Sequence, residues 1–388
     1  MLELAIGCAT LRLLLGPTAG WLSYDWLDAR IVALERVGRT GAAAIISLLL
    51  LCGACAVVQP LLTPTHWGIC YAALAQNPFA LDQPSGCAYR RLTPLLSYCL
   101  GLRGDRIVWT NLLLAWLLIA SIYAYFRRTA PRPGDAFFAA TTMTFSMVTY
   151  STLFNPGYCD TLTYLLVFVL WRVRSRARLF YPLFLLCLLN REGVAFLVPW
   201  FAFLAISEST HKRHTTLEIL AGYGTSLGLY VLFRAWVASH TPGPMLDADL
   251  FVAPLRIDPL HWVRRSFGYW GIGAFSVFKL LWAIPLVAMH SLWQTGRRRD
   301  AMSMLLLLGC ALAQLVLAFD TSRLLTLSFM VMVVALLHLF ETDAHGFRGW
   351  VGWLVLGNLA VPDLYTAENI VAVMRSPLSA RLTAYVAR

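Results

Sequence analysis

A chain of 388 residues that is 59% hydrophobic and only 13% charged, with a mean hydropathy of +0.66, cannot hide its apolar surface in a water-soluble fold; soluble domains carry about 25% charged residues. The net charge of +11 does not point to nucleic acid. The basic residues sit in short loops between apolar blocks, such as Arg172, Arg174, Arg176 and Arg178 or Arg297, Arg298 and Arg299, where topology and anionic headgroups account for them.

The apolar blocks approach the roughly 20 residues that a helix needs to cross about 30 Å of hydrocarbon. Backbone groups in lipid must be satisfied internally, so the expected class is an all-α integral membrane protein. The ten-residue alternation of an outer-membrane barrel is absent. Residues 1–42 are expected to be cytoplasmic. Met1-Leu2-Glu3 opens without a basic stretch or a small-residue cleavage site, so the first span is expected to serve as an uncleaved signal. Within this segment Leu27, Ile31, Leu34 and Val37 form one helical stripe against Asp25, Asp28, Arg30 and Arg36, the pattern of an interfacial helix.

Residues 43–361 read as the polytopic domain, with roughly 10 to 11 transmembrane or half-membrane helices. The expected spans are 43–60, 107–126, 135–154, 160–171, 179–189, 193–206, 216–237, 271–293, 301–319, 324–341 and 349–361. Arg127, Arg128 and Arg132, the 172–178 run, Lys212 and Arg213, and Arg297 to Arg299 fall on alternate loops, which places those loops and the N-terminus in the cytoplasm. Residues 61–106 then form a long first outer loop, too apolar for disorder and expected to contain helices lying on the membrane. Residues 238–270 form a second outer loop, and 362–388 an outer-face tail. Spans 160–171, 179–189 and 193–206 are short. They are either tilted helices with wet ends or half-length helices exposing Asn190, Arg191 and Glu192 in a watery recess.

Four polar clusters fall on the outer face of this topology: Tyr89-Arg90-Arg91, Asn155-Pro156-Gly157-Tyr158-Cys159-Asp160, Asn190-Arg191-Glu192-Gly193 and Asp320-Thr321-Ser322-Arg323. A charge beside hydrocarbon costs several kcal/mol unless paired or wet. Arg90 and Arg91 are either snorkelling belt residues or guanidinium forks for a phosphate, with Asp82 the nearest upstream carboxylate. Asp160 either caps the next helix or faces a site. Arg191 and Glu192 are either a self-satisfied pair or part of a site. Asp320 and Arg323, three residues apart, can pair. Lys279 and Arg234 are charges within spans. Cys52 and Cys55 lie inside the first span and read as small apolar residues, whereas a Cys70–Cys87 bridge would close the first outer loop. No metal, Walker or dinucleotide motif is present.

The residues Asn77-Pro78-Phe79, Tyr89-Arg90 with Leu92-Thr93-Pro94, Leu188-Leu189-Asn190-Arg191-Glu192 and Asp320 with Arg323 resemble a group of bacterial polytopic membrane proteins related to the C-type glycosyltransferases (GT-C). The resemblance covers most of 43–361. It implies a polyprenyl-phosphate-linked sugar as donor, a cell-envelope acceptor and a bacterial cytoplasmic (inner) membrane location, with membrane lipids and a partner membrane protein as further contacts and no nucleic acid. It also implies an outer-face carboxylate as base, Asp82, Asp160 or Glu192. The leaving phosphate would be held by Arg90, Arg91, Arg191 and Arg323 or by a divalent metal, with Tyr89, Asn190, Asp320, Lys279 and His66 in support. One departure stands out: the family keeps its catalytic acid early in the first outer loop, and residues 61–75 contain none, with His66 near that place. The other readings are a non-catalytic subunit of envelope-polysaccharide synthesis and a lipid-carrier or solute transporter.

Overall fold

The computed structural model describes residues 24–36, 38–81, 83, 85–208, 212–240, 258, 260–316, 320–343, 346–367 and 370–374. Six helices among them are long and apolar enough to cross a membrane: Arg39–Val58, Gly104–Thr129, Thr216–His240, His261–Gln294, Arg298–Val316 and Thr321–Thr342. The protein is an all-α membrane protein with several spans.

In chain order the helices are α1 (Tyr24–Glu35), α2 (Arg39–Val58), α3 (Trp67–Gln76), α4 (Ser85–Ala88), α5 (Leu92–Cys99) and α6 (Ile107–Thr129). They continue with α7 (Pro133–Thr144), α8 (Met147–Phe154), α9 (Asp160–Val173), α10 (Ala177–Asn190), α11 (Val198–Glu208) and α12 (Lys212–His240). The remainder are α13 (His261–Phe278), α14 (Ala283–Gln294), α15 (Arg298–Ala313), α16 (Thr321–Leu325), α17 (Phe329–Thr342) and α18 (Phe347–Ala360). A two-stranded antiparallel hairpin follows, β1 (Leu364–Ala367) and β2 (Ile370–Val373), pairing Tyr365 with Ala372.

Two expected spans are broken. Span 135–154 divides at Phe145 and Ser146, where α7 ends and the Ser146 side chain caps α8 by accepting from Val148 N. Span 271–293 begins earlier, at His261, and breaks at Lys279, whose φ of 49° interrupts the helix before a 3-10 turn. Asn358 of α18 compensates both breaks: its Nδ2 donates to Phe145 O (3.0 Å), and its Oδ1 accepts from Leu280 N (3.0 Å) and Leu281 N (3.4 Å). Backbone groups freed in a membrane interior must find such partners.

The three short spans remain short. Helices α9 and α10 hold 14 residues each, about 21 Å at 1.5 Å per residue. A 3-10 turn over Glu192–Leu197 leads from α10 into α11. Helix α1, expected at the interface, docks on the bundle: Ile31 is buried, Leu27 and Leu34 pack on the core, and Val37 lies outside the described residues.

Charged residues gather in two layers. One holds Glu35–Arg127 (2.7 Å), Asp28–Arg132 (2.7 Å), Asp135–Arg348 (2.9 Å), Arg174–Glu208 (2.8 Å) and Arg299 donating to Ser207 O (2.9 Å). The first two join α1 to the α6–α7 junction that carries Arg127 and Arg132. The opposite ends of the same helices carry Asp160, Asn190 and Arg191, and there the four polar clusters meet.

Candidate functional site

The turn 155–157 brings the second cluster onto the first outer segment. Gly157 has φ +92°, and a Cβ on Gly68 of α3 would stand 2.3 Å from Pro156 O. Only glycine permits that approach. The contact sets Tyr158 against Tyr71 of α3, with ring centroids 6.2 Å apart, while Asn111 Nδ2 holds Tyr158 O (2.9 Å). A disulfide between Cys70 and Cys87 ties α3 to α4, just before Arg90. The expected closure of the outer loop is therefore present.

Arg90 donates from Nε to Glu192 Oε2 (3.0 Å), from Nη2 to Glu192 Oε1, and from Nη1 to the Tyr71 hydroxyl (3.0 Å). Burial pushes the Tyr71 phenol up from its ordinary value against the pull of Arg90, which keeps it protonated. The Arg90 and Glu192 side chains are 26% and 35% exposed, so this pair is the accessible part of the network.

Deeper in, Arg191 donates to Asp160 Oδ1, and the two side chains are only 4% and 8% exposed. Asp160 Oδ2 also faces Arg323 Nε at 3.5 Å, Arg323 pairs with Asp320 at 3.0 Å, and Tyr365 of β1 donates to Asp320 Oδ2 (2.7 Å). The Arg323 guanidinium lies 4.8 Å above the Tyr158 ring. Tyr158 thus touches both halves, the Tyr71–Arg90–Glu192 group and the Arg191–Asp160–Arg323–Asp320 chain.

Arg191 and Glu192 do not pair with each other. The backbone at Arg191 is extended (φ −158°), so successive side chains diverge, Arg191 to Asp160 and Glu192 to Arg90. Arg91 is not placed to hold a phosphate: it donates to the carbonyls of Ala88 (2.7 Å), Pro78 (2.8 Å) and Ala80 (2.9 Å), which folds the outer loop around it. Asn190 is a staple, donating to Cys159 O and Thr163 Oγ1 and accepting from Thr93 N and Oγ1. Lys279 stands apart from the network, bonded to Asp363 (2.6 Å) and Val361 O (3.0 Å). His66 is exposed at the start of α3. Asp82, the first candidate base, lies outside the described residues.

Tyr71, Tyr365 and Arg234 belong to the site or its rim, and the sequence reading did not place them there, whereas Tyr158 stands in its second outer-face cluster. Tyr365 lay in what reads as a tail, although the aromatic and β-branched runs at 364–367 and 370–373, two residues apart, carry a hairpin signal. Arg234 of α12 stacks 4.1 Å above the Tyr89 ring.

The network does not fit a divalent metal. Among the described residues no group of three His, Cys, Asp or Glu side chains could hold one, and Asp160, Asp320 and Glu192 are each committed to arginine. No family model matches this chain, and no curated protein is significantly similar to it.

Proposed function

We propose that this protein is a membrane-embedded transferase of the C-type glycosyltransferase kind, moving a sugar from a polyprenyl-phosphate carrier to a cell-envelope acceptor. One observation carries the reading: residues from four distant clusters form a single arginine–carboxylate–tyrosine network at one end of the helix bundle. Such a network concentrates guanidinium donors suited to a phosphate. The Cys70–Cys87 disulfide supports a site that faces an oxidising compartment, with the α1 face on the cytoplasmic side. On this reading the protein sits in the bacterial inner membrane.

The chemistry follows from the Arg90–Glu192 pair. A phosphate arriving at Arg90 competes for its N–H groups and releases the Glu192 carboxylate. Glu192 then takes the proton of an acceptor hydroxyl as the hydroxyl oxygen bonds to the anomeric carbon. The bond from that carbon to the phosphate oxygen breaks on the opposite face, and the polyprenyl phosphate leaves with the electron pair, its charge held by arginine. Asp160, locked between Arg191 and Arg323, positions those arginines and does not take part in proton transfer.

The test is sugar transfer from a polyprenyl-phosphate sugar by the full chain in nanodiscs, with Glu192→Gln, Asp160→Asn and Asp82→Asn compared separately. Loss of turnover in Glu192→Gln with donor binding retained supports the assignment; full activity in all three variants sinks it. A second reading, a non-catalytic subunit of the same fold, draws on the fact that Glu192 and Asp160 are both ion-paired and that 61–75 holds no acid. Wild-type inactivity alone, with activity restored by a co-purifying membrane enzyme, would favour it.

A further inference from the structure

Arg90, Arg191 and Arg323 all have carboxylate partners, whereas Arg234 has none among the described residues. It is half-buried on α12, with its guanidinium 4.1 Å over the Tyr89 ring and 5.9 Å from the Tyr230 ring. An arginine that merely snorkels turns its head to water; this one lies over the Tyr89 ring with Tyr230 beside it. It stands close enough to Glu192 to act on that carboxylate electrostatically. One turn earlier on the same helix face, Tyr230 is 6% exposed, and its hydroxyl neighbours the Arg234 guanidinium without an acceptor for its own proton. A buried unsatisfied hydroxyl beside an unpaired cation is a costly arrangement unless something accepts from both.

The setting adds a direction. Helix α12 is the least enclosed span, with 22% of its apolar window buried, and Leu229, Val231, Leu232 and Trp236 are exposed along it. On the same face as Arg234, Phe233 and Val237 pack against Ala88 and Tyr89, the residues leading to Arg90. Arg234 therefore lies on the seam between the polar network and the lipid-facing side of α12.

We infer that Arg234 and Tyr230 form the head-group seat for an amphiphilic phosphate, whose hydrocarbon tail runs out along the exposed apolar side of α12. The inference rests on the proposed reading for its ligand class and departs from it in the residues: the resemblance gives the phosphate to Arg90, Arg91, Arg191 and Arg323, whereas the head group is seated first on Arg234. The Arg234 N–H edge and the Tyr230 O–H donate to the phosphate oxygens. Arg90, one exchange away through Glu192, is the next cation the head group meets.

The experiment measures binding of dodecyl phosphate, inorganic phosphate and dodecyltrimethylammonium to the full chain in nanodiscs. Arg234→Gln should weaken dodecyl phosphate at least tenfold and Tyr230→Phe severalfold, whereas Arg264→Gln, an exposed arginine on α13, should leave it unchanged. Inorganic phosphate should bind far more weakly, and the cationic amphiphile should not compete. Wild-type affinity in both Arg234→Gln and Tyr230→Phe overturns the inference, and equal affinity for inorganic phosphate overturns its amphiphilic part. If Arg234→Gln does not fold, Tyr230→Phe decides. Arg234-dependent binding without any sugar transfer by the wild type leaves the seat standing and removes the transferase reading. Sugar transfer together with Arg234-independent binding does the reverse.

Discussion

Glu192 grips Arg90, 102 residues away in the chain, and not the Arg191 beside it. Two hydrogen bonds run between the guanidinium and the carboxylate, and the pair is about one-third exposed. This makes it a modest contributor to stability and a good candidate for exchange with a ligand. In a double-mutant cycle, Arg90→Gln and Glu192→Gln should show a coupling of roughly 1–2 kcal/mol, inside the roughly 0.5–3 kcal/mol span for residues in contact. The checking measurement is thermal unfolding of the four proteins in one detergent; additive losses would show that the pair is not formed.

The inner carboxylates should behave differently. Asp160 faces two guanidiniums, so Asp160→Asn leaves Arg191 and Arg323 buried with too little negative charge. Removing one partner of a buried pair costs roughly 3–5 kcal/mol. Asp320→Asn keeps Arg323 beside Asp160 and retains an acceptor for the Tyr365 hydroxyl, so its loss should be clearly smaller. Melting temperatures would rank them, and an Asp320→Asn variant less stable than Asp160→Asn would contradict the hierarchy.

The shared face of the four clusters was legible because charges do not sit in hydrocarbon, and the apolar blocks dictate which loop ends emerge together. Arg90, Asp160, Glu192 and Arg323 were found that way. Their pairing was not legible, since adjacency pointed to Arg191 with Glu192 while an extended backbone at Arg191 sends the two apart. Arg91 looks like its neighbour in sequence, yet it serves three backbone carbonyls. The breaks at Phe145 and Lys279 were hidden for another reason: no proline or glycine marks either break, and the side chain that tolerates them is Asn358, 213 and 78 residues away from its partners.

Asn358 therefore makes a sharp probe. Asn358→Leu would strand Phe145 O, Leu280 N and Leu281 N, all in the bundle interior, at about 1–3 kcal/mol for each group left unsatisfied. Asn358→Asp keeps an acceptor for the two N–H groups and loses only the donor to Phe145 O, so it should be the milder change despite its charge. Hydrogen exchange would read this directly. The amides of Leu280 and Leu281 should lose protection in Asn358→Leu and keep more of it in Asn358→Asp; equal protection in both would show that Asn358 does not cap the break.

The Cys70–Cys87 bridge offers a test of both stability and sidedness. It closes a segment of 17 residues, which corresponds to about 3 kcal/mol of loop-closure stabilisation in the chain-entropy view. Cys70→Ser with Cys87→Ser should lower the melting temperature of the outer segment and loosen the Tyr71–Arg90 contact, since Tyr71 follows one cysteine and Arg90 lies three residues past the other. For sidedness, intact cells expressing the protein would be treated with a membrane-impermeant reductant and then an impermeant maleimide. Half-buried Cys70 should label, whereas a cysteine placed at exposed Arg298, on the opposite polar layer, should label only after permeabilisation. Labelling of the Arg298 position in intact cells would invert the topology and place the arginine–carboxylate network in the cytoplasm, away from any envelope acceptor.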